Sequence, residues 1–460
     1  MIDVEESSAL DMVRGFAAGT LSPVAVLERA LDRLAQVEPK LNATVLVDAD
    51  TGRRMAEASA ARWRDGRPLG PLDGVPVAVK DTNSVAGWPT RAGSRPTPTT
   101  PATADTPGVA RLREAGAVFF CKATTPEQGW KGITHSPLTG VTGNPWDPTR
   151  TPGGSSGGSA ALVAAGVVSL ATGGDGGGSI RIPAGFSGVY GLKPTYGLLP
   201  NVPHSLGWLG VFGALSRTVA DTAAFLRIAS APDWRDAFAV PPRDIDYLAQ
   251  LEGGVAGLRI ASSRDLGFPV VHPGVAAAVE QGVEQLRRAG ATVTEVDLDF
   301  SPLRDAMDVI WRAGFAGALR HLDGAALQLL EPDLLALMVS AQDLSAARLQ
   351  AAQDAARAHC QAMQRFHQDF DLLVTPTLPI PAFAAGLNTP DPARFPRWYD
   401  WTPFSWPFNL SRQPAASIPC GLAEGLPVGL QIVGPLFRED LVLRASRCIE
   451  RAIRIGAPPM

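Results

Sequence analysis

The stretch Thr151–Ala184 reads TPGGSSGGSAALVAAGVVSLATGGDGGGSIRIPA, and in it two clusters of glycine and serine flank a short apolar segment. The first cluster, Gly153–Gly158, allows close backbone approach and positive φ angles. The second cluster, Gly173–Ser179, offers successive backbone N–H groups in what we predict to be a tight loop, which suits a nest for a developing oxyanion. Because Ser179 ends this nest, the stretch predicts that Ser179 is a nucleophile.

Around this stretch, apolar runs of strand length alternate with amphipathic helical patterns, which is typical of an α/β fold. Strands are predicted at 44–47, 75–79, 117–121, 167–170, 258–262, 292–296, 371–374 and 428–433. Helices are predicted at 7–18, 22–36, 51–63, 109–115, 159–165, 275–289, 345–370 and 440–451. The chain of 460 residues shows no internal repeat and no dividing linker, so we expect one large domain.

Composition excludes several classes of protein. A formal net charge of −4 gives no electrostatic support for a nucleic-acid partner. The 4 cysteines are far apart and lack metal-ligand spacing, so neither a disulfide framework nor a zinc site is predicted. The acidic start of the chain has no apolar signal segment, and no apolar run is long enough to span a membrane. We therefore expect a cytoplasmic protein with no membrane partner.

A nucleophilic serine needs a group that accepts its proton. None of the histidines lies in a glycine and serine cluster. They are His135, His204, His272, His321, His359 and His367. Lysine is the alternative base, and Lys80 stands out among Lys80, Lys122, Lys131 and Lys193 because it ends a predicted buried strand. By position alone, the plainer interpretation of Lys80 is the point where that strand reaches water.

The chain resembles the amidase signature family. The resemblance rests on the two clusters, on the 24-residue spacing of Ser155 and Ser179, and on motifs that flank them along nearly the whole chain. These motifs are Gly74–Asp81, Asn144–Pro145, Gly191–Thr195, Pro414–Gly421 and Gly425–Gln431. The resemblance implies a single domain with a mixed central β-sheet covered by helices on both faces. Within it we expect N-terminal helices at 7–64, a catalytic core at about 65–230 and a variable substrate-lining region at about 300–412.

The resemblance also implies a Ser-cis-Ser-Lys triad that hydrolyses carbon–nitrogen bonds without a metal or an organic cofactor. Ser179 would attack the substrate. Ser155, which would follow a cis peptide bond, would relay the proton of Ser179, and Lys80 would receive it. The oxyanion hole would be formed by the backbone N–H groups of Gly176, Gly177, Gly178 and Ser179. Supporting roles would fall to Ser156 and to an Asp175–Arg181 pair that holds the loop.

The substrate is predicted from aromatic residues in the variable regions: Trp130, Trp208, Phe212, Trp311, Trp398, Tyr399, Trp401 and Trp406. Aromatic side chains also build cores, so the pocket and core interpretations both stay open. The chain departs from the family pattern at Gly176, which would widen the loop, and at Arg412, which would line the pocket or face water. Our candidate substrate-binding residues are Gly154, Trp130, Trp208, Trp401 and Arg412.

These observations predict an amidase for small apolar or aromatic amides, anilides or carbamates (urethanes), acting as a monomer or homodimer. Esterase side activity would accompany the same acyl-enzyme chemistry. An alternative within the family is the amidase component of a tRNA-dependent amidotransferase, which would need a second protein. An alternative from another class is a binding protein that keeps the fold without catalysis, although the intact Lys80, Ser155 and Ser179 argue against it.

Overall fold

The computed structural model describes residues 7–202, 206–241, 243–268 and 270–460. In chain order its strands are β1 (Thr44–Val47), β2 (Pro76–Lys80), β3 (Val118–Ala123), β4 (His135–Ser136), β5 (Gly140–Val141), β6 (Leu170–Asp175), β7 (Tyr190–Lys193), β8 (Val211–Ser216), β9 (Arg259–Ser262), β10 (Thr292–Glu295), β11 (Leu372–Pro376), β12 (Ala415–Ala423) and β13 (Leu426–Val433).

The α-helices in the same ranges are α1 (Ala9–Ala17), α2 (Pro23–Leu41), α3 (Ala49–Arg64), α4 (Pro107–Glu114), α5 (Gly157–Ala164), α6 (Arg181–Ser187), α7 (Val219–Ala229), α8 (Tyr247–Gln250), α9 (Pro273–Arg288), α10 (Arg304–Ala318), α11 (Gly324–Leu327), α12 (Pro332–Val339), α13 (Ala346–Asp369), α14 (Pro407–Leu410) and α15 (Glu439–Ala452). Short 3₁₀ helices lie at Glu127–Gly129, Leu251–Gly253, Ser301–Leu303 and Trp398–Asp400. None of the helices in the described ranges has both the length and the apolar character that a membrane crossing requires.

Eleven strands form one mixed sheet in the order β1-β3-β2-β6-β8-β7-β12-β13-β11-β9-β10, while β4 and β5 form a separate hairpin. Strands β3, β2 and β6 run parallel on one side, and β11, β9 and β10 run parallel on the other. The strands between β6 and β11 are antiparallel neighbours. Helices flank the sheet, so the predicted α/β class with a mixed, helix-covered sheet is confirmed.

Local sequence explains the helix that carries the first glycine and serine cluster. Helix α5 consists of small and apolar residues, and every residue from Gly157 to Val163 is buried. A Cβ atom on Gly158 would lie 2.4 Å from Thr124 Oγ1 and 2.6 Å from the Ala43 carbonyl oxygen. Only glycine therefore lets this helix pack so closely on the backbone beside β1 and β3. This packing fixes the position of the serines that precede α5.

The second cluster differs from the prediction. Strand β6 begins at Leu170 and continues to Asp175, so Gly173 and Gly174 lie in a strand and the loop starts only at Gly176. These glycines make the strand difficult to predict from the sequence, because glycine has low β propensity. A Cβ atom on Gly173 would lie 2.9 Å from side chains of Ile180 and Leu215, so close packing requires glycine there.

The strands β7, β8 and β12 and the short hairpin strands β4 and β5 were not predicted from the sequence. Glycine or proline within β7, β8 and β12 explains why those three were missed. The predicted elements are otherwise present with shifted ends. The helix predicted at 22–36 is α2, which continues to Leu41 through the internal Pro39 and ends at Asn42 in the left-handed conformation.

We expect Gly158→Ala to lower the free energy of unfolding by about 1–3 kcal/mol, because the added methyl group must displace backbone atoms. Gly317→Ala is the matched control, since a Cβ atom on this glycine of α10 meets nothing within 4 Å. It should leave the free energy unchanged or raise it by up to about 1 kcal/mol. Urea-induced unfolding followed by circular dichroism measures both effects. Equal midpoints for the two variants would contradict the packing argument.

Candidate active site

Two parallel strands bring the predicted base and the second glycine cluster to one edge of the sheet. Strand β2 pairs with β6 through Ala78 and Ala171, so the carboxyl ends of both strands point the same way. Lys80 is the last residue of β2, and Asp175 is the last residue of β6. The backbone N–H of Lys80 donates to Thr172 Oγ1 at 2.9 Å, which fixes the start of its side chain.

The first cluster brings two serine hydroxyl groups onto the Lys80 amine. Ser155 follows a cis peptide bond from Gly154, and Ser156 is the N-cap of α5. Lys80 Nζ lies 2.7 Å from Ser155 Oγ and 2.9 Å from Ser156 Oγ. Both contacts are hydrogen bonds of ordinary length, so a proton can pass between Ser155 and Lys80 without any rearrangement.

Ser156 also connects the first cluster to the second. Its backbone N–H donates to the Ser179 carbonyl oxygen at 3.1 Å. Its hydroxyl lies 3.4 Å from both the N–H and the carbonyl oxygen of Gly174. Ser155 and Ser179 are 2% and 4% exposed, so both hydroxyls lie in a nearly closed part of the molecule. The predicted supporting role of Ser156 therefore has a geometric basis.

The environment of Lys80 favours its neutral form. The side chain is 2% exposed, and burial lowers its pKa to about 7, although the negative charge of Asp175 acts in the opposite direction. A lysine in water has a pKa near 10.4. Near neutral pH a large fraction of Lys80 is therefore neutral and can accept a proton.

The other candidate lysines interact with groups other than the serines of the first cluster. Lys122 Nζ forms a buried ion pair with Asp81 at 2.8 Å. Lys131 Nζ pairs with the carboxylate of Glu331. Burial, together with the nearby Arg181 guanidinium, lowers the pKa of Lys193 to about 7, but its Nζ donates to the Pro194 carbonyl oxygen. Of these four lysines, Lys80 is the one bonded to the serines of the first cluster.

Asp175 and Arg181 form the pair that holds the second cluster. Both side chains are fully buried, and Arg181 donates to both carboxylate oxygens of Asp175 at 2.9 and 3.0 Å. The same oxygens accept the backbone N–H groups of Gly178 at 2.7 Å and Ile180 at 3.1 Å. Burial alone would raise the pKa of Asp175, but Arg181, with smaller contributions from Lys193 and Asn409, more than offsets burial. The pKa is therefore lowered and the carboxylate stays charged.

This arrangement corrects one part of the predicted oxyanion hole. The Gly178 N–H is directed at Asp175, so it is not available to a substrate oxygen. Gly178 has φ +128°, and a Cβ atom on it would lie 2.3 Å from Ser405 Oγ, so its role is to let the loop pass Ser405. The backbone donors that remain for an oxyanion are those of Gly176, Gly177 and Ser179.

Aromatic side chains cover the outer side of the loop. A Cβ atom on Gly176 would lie 2.9 Å from Leu206 Cδ1 and 3.4 Å from Trp311 Cζ3, so the space expected to widen the loop is already occupied. On Gly177, a Cβ atom would lie 2.7 Å from Trp398 Cη2. Trp311 and Trp398 contact each other with ring centroids 5.0 Å apart. The loop that follows β6 therefore has a wall of two tryptophans.

Three predicted substrate-binding residues are packed into the core. Gly154 lies against the backbone of Ile133, because a Cβ atom on it would be 2.4 Å from that carbonyl oxygen. Trp130 is 6% exposed and donates through Nε1 to Glu331 at 3.0 Å. Trp401 is fully buried, and its ring stacks on Phe186 at 5.9 Å. These contacts favour the core interpretation for the three residues.

Trp208 and Arg412 lie together on a less buried part of the same side. The Arg412 guanidinium lies 5.3 Å from the Trp208 ring and 5.5 Å from the Tyr196 ring. Arg412 has φ +64°, a backbone conformation that favours glycine. An arginine at this position, where the chain departs from the family pattern, therefore carries a conformational cost. The side chain is therefore held between two aromatic rings.

Residues far away in the sequence complete the support of the loop. Arg181 also donates to the Ser405 carbonyl oxygen at 2.6 Å, to Asn409 at 2.6 Å and to Gln431 at 2.9 Å. Asn409 in turn donates to the Asp175 carbonyl oxygen at 3.1 Å. Sequence reasoning missed Ser405 and Asn409, and only the Gln431 motif gave a signal.

Histidines and metal ligands contribute little here. His359 is buried, and burial lowers its pKa to about 4, while His204 lies outside the described residues. Within the described ranges, no group of three or more His, Cys, Asp or Glu side chains is arranged to hold a metal ion.

The chain aligns with known proteins over almost its whole length. The chain is 37% identical over 455 residues to an acylamidase of Rhodococcus erythropolis, which covers 96% of this chain and 94% of that protein. It is 35% identical over 475 residues to a glutamyl-tRNA(Gln) amidotransferase subunit of Symbiobacterium thermophilum, with 97% of both chains covered.

A solved bacterial aryl acylamidase of the amidase signature family superposes with a TM-score of 0.91 at 29% identity, covering 98% of this chain and 96% of that one. The Amidase family model matches residues 25–443. From this match, and from relatives that align over nearly their full length, we conclude that the chain belongs to the amidase signature family of serine amidohydrolases.

Proposed function

We propose that this amidohydrolase cleaves small apolar or aromatic amides, including anilides and carbamates, through an acyl-enzyme on Ser179. The observation that carries the proposal is the contact of the buried Lys80 amine with Ser155, 2.7 Å away, beside the loop that ends in Ser179. The tryptophans over Gly176 and Gly177 support an apolar substrate, because such a wall favours aromatic and aliphatic groups.

In the proposed reaction, neutral Lys80 draws the proton of Ser179 through the Ser155 hydroxyl while Ser179 Oγ adds to the substrate carbonyl carbon. The oxygen of that carbonyl takes the negative charge and is stabilised by the N–H groups of Gly176, Gly177 and Ser179. The relay then returns the proton to the leaving nitrogen as the carbon–nitrogen bond breaks. Water attacks the resulting ester by the reverse route and releases the acid.

A second candidate is the amidase component of a tRNA-dependent amidotransferase, which the similarity to the Symbiobacterium thermophilum protein favours. The net charge of −4 argues against a surface that faces tRNA. We propose instead that the chain acts in the cytoplasm as a monomer or homodimer on small molecules, without nucleic acid or membrane.

Ser179→Ala should lower kcat by roughly 10⁴- to 10⁶-fold, because the nucleophile is lost. A fluorophosphonate probe should label the wild-type protein at Ser179 and leave the variant unlabelled, as intact-mass spectrometry can measure. Ser7→Ala is a control outside the site and should be labelled like the wild type. Labelling at another residue, or in Ser179→Ala, would contradict the assignment.

The rate should depend on pH through Lys80. Below a pKa of about 7 the amine is protonated and cannot accept a proton, so kcat/KM should rise with pH through neutrality and level off above it. Lys193→Met should keep this rise, because it removes the other buried lysine with a pKa near 7 and retains Lys80. A flat profile from about pH 6 to 9 with chemistry rate-limiting, or loss of the rise in Lys193→Met, would contradict the role of Lys80.

The isolated chain should hydrolyse 4-nitroanilides and aryl carbamates without a second protein. Lys80→Ala should slow this reaction by about 10²- to 10⁴-fold, the usual contribution of a general base. Release of 4-nitroaniline provides the assay, and size-exclusion chromatography gives the oligomeric state. Activity that appears only after a second protein is added would support the amidotransferase alternative.

A further inference from the structure

An indole N–H is buried beside the second glycine cluster without a hydrogen-bond partner. Trp398 is 3% exposed, and its Nε1 has no acceptor among the described residues. An unpaired buried donor is costly, so buried polar groups in native proteins nearly always have a partner. Beside the loop that ends in Ser179, such a donor can pair with a bound molecule.

The contacts of the ring show which way this donor faces. The six-membered ring of Trp398 lies between Gly132 and Gly177. A Cβ atom on Gly132 would lie 3.2 Å from Cε3, while one on Gly177 would lie 2.7 Å from Cη2 and 3.4 Å from Cζ2. Cε3 and Cζ2 are opposite corners of this ring, and Cζ2 is the corner on the side of Nε1. The nitrogen-bearing edge therefore lies on the side of Gly177.

Neighbouring contacts hold the ring in this orientation. Trp311 packs against it at an interplanar angle of 61°. Met307 Cε lies 3.2 Å from the position of a Cβ atom on Gly177, so it fills the space beside the ring. Trp398 also begins a 3₁₀ helix that is capped by a 2.8 Å bond from the Arg397 N–H to Asp400. The donor is thus fixed before any substrate binds.

We propose that Trp398 Nε1 donates a hydrogen bond to an oxygen of the acyl group that is one or two bonds from the scissile carbonyl carbon. This inference rests on the proposed function, in which the carbonyl oxygen binds to N–H groups of the same loop. The acceptor belongs to the acyl side, because the nitrogen on the other side of an amide is a poor acceptor. The alkoxy oxygen of a carbamate or of a 2-alkoxyacyl group satisfies this requirement.

Trp401 has a second buried Nε1 without a partner among the described residues, but its ring lies beside Gly132 and is not among the nearest neighbours of Gly177. Its ring stacks on Phe186 and meets Phe383 edge to face at 5.0 Å. Its contact with the glycines of this region is with Gly132, 3.3 Å from the position of a Cβ atom there. Trp398 is therefore the indole that we assign to substrate selection.

The test compares two 4-nitroanilides of the same shape, those of methoxyacetic acid and butanoic acid, which differ by an oxygen in place of a methylene group. The ratio of their kcat/KM values is measured for the wild type and for Trp398→Phe. The intrinsic reactivity of each substrate cancels in this comparison. We expect the preference for methoxyacetyl to fall by about three- to tenfold in Trp398→Phe, as for the loss of one hydrogen bond.

Trp406→Phe is the matched control, because its buried Nε1 already donates to the Tyr399 carbonyl oxygen at 3.0 Å, and it should keep the wild-type ratio. An unchanged ratio in Trp398→Phe, or an equal fall in Trp401→Phe, would overturn the proposal while both substrates are still hydrolysed. Hydrolysis of neither substrate by the wild type would instead overturn the proposed function.

A measurement without a tryptophan variant keeps the proposal testable if Trp398→Phe does not fold. Indole N–H resonances of Ser179→Ala protein are recorded with each anilide bound. We expect one of the resonances from the 10 tryptophans to move downfield with the methoxyacetyl compound only. The same spectrum with both compounds would overturn the proposal.

Discussion

The buried ion pair of Asp175 and Arg181 supports the loop on which the proposed chemistry depends. The carboxylate accepts hydrogen bonds from the N–H groups of Gly178 and Ile180. The guanidinium donates hydrogen bonds to oxygen atoms of Ser405, Asn409 and Gln431. Removing one partner from such a pair typically costs about 3–5 kcal/mol, because the other charge stays buried and unpaired. The pair therefore joins the end of β6, the segment around α14 and β13 into one rigid unit around Ser179.

A second constraint is the electrostatic balance at Lys80. Burial removes water from the amine and favours its neutral form, whereas the Asp175 carboxylate favours the charged form. Desolvation is the larger of the two effects, so the pKa of Lys80 falls to about 7. The Asp175 carboxylate thus orders the loop and at the same time acts on the proposed base. Lys193 lies within the same field, and its pKa falls to about 7 as well.

The aromatic wall over the loop is built from a different part of the chain. Trp311 comes from α10 and Trp398 from a 3₁₀ helix, so the aromatic wall belongs to the region expected to vary in the family. The glycines of the loop are small enough for these rings to approach closely. We infer that specificity can change through this region while the Lys80, Ser155 and Ser179 arrangement is preserved. Arg412, held between Tyr196 and Trp208, is another position where the chain departs from the family pattern.

Local sequence patterns predicted the α/β class, many of the helices and strands, and Ser179 as a nucleophile, because hydrophobic periodicity and glycine clusters are local signals. The roles of Ser155 and Lys80 came from the resemblance to the amidase signature family. Local patterns could not show that Gly173 and Gly174 are in a strand, since pairing of β6 with β8 overrides the low β propensity of glycine. They also could not separate the Gly178 N–H from the other proposed oxyanion donors, or Trp398 from the core tryptophans. The first assignment depends on the turn that brings the Gly178 N–H to Asp175, and the second on the packing of Trp398 against Gly177, which is distant in the sequence. Both arrangements, and the exclusion of water from them, arise only in the folded chain.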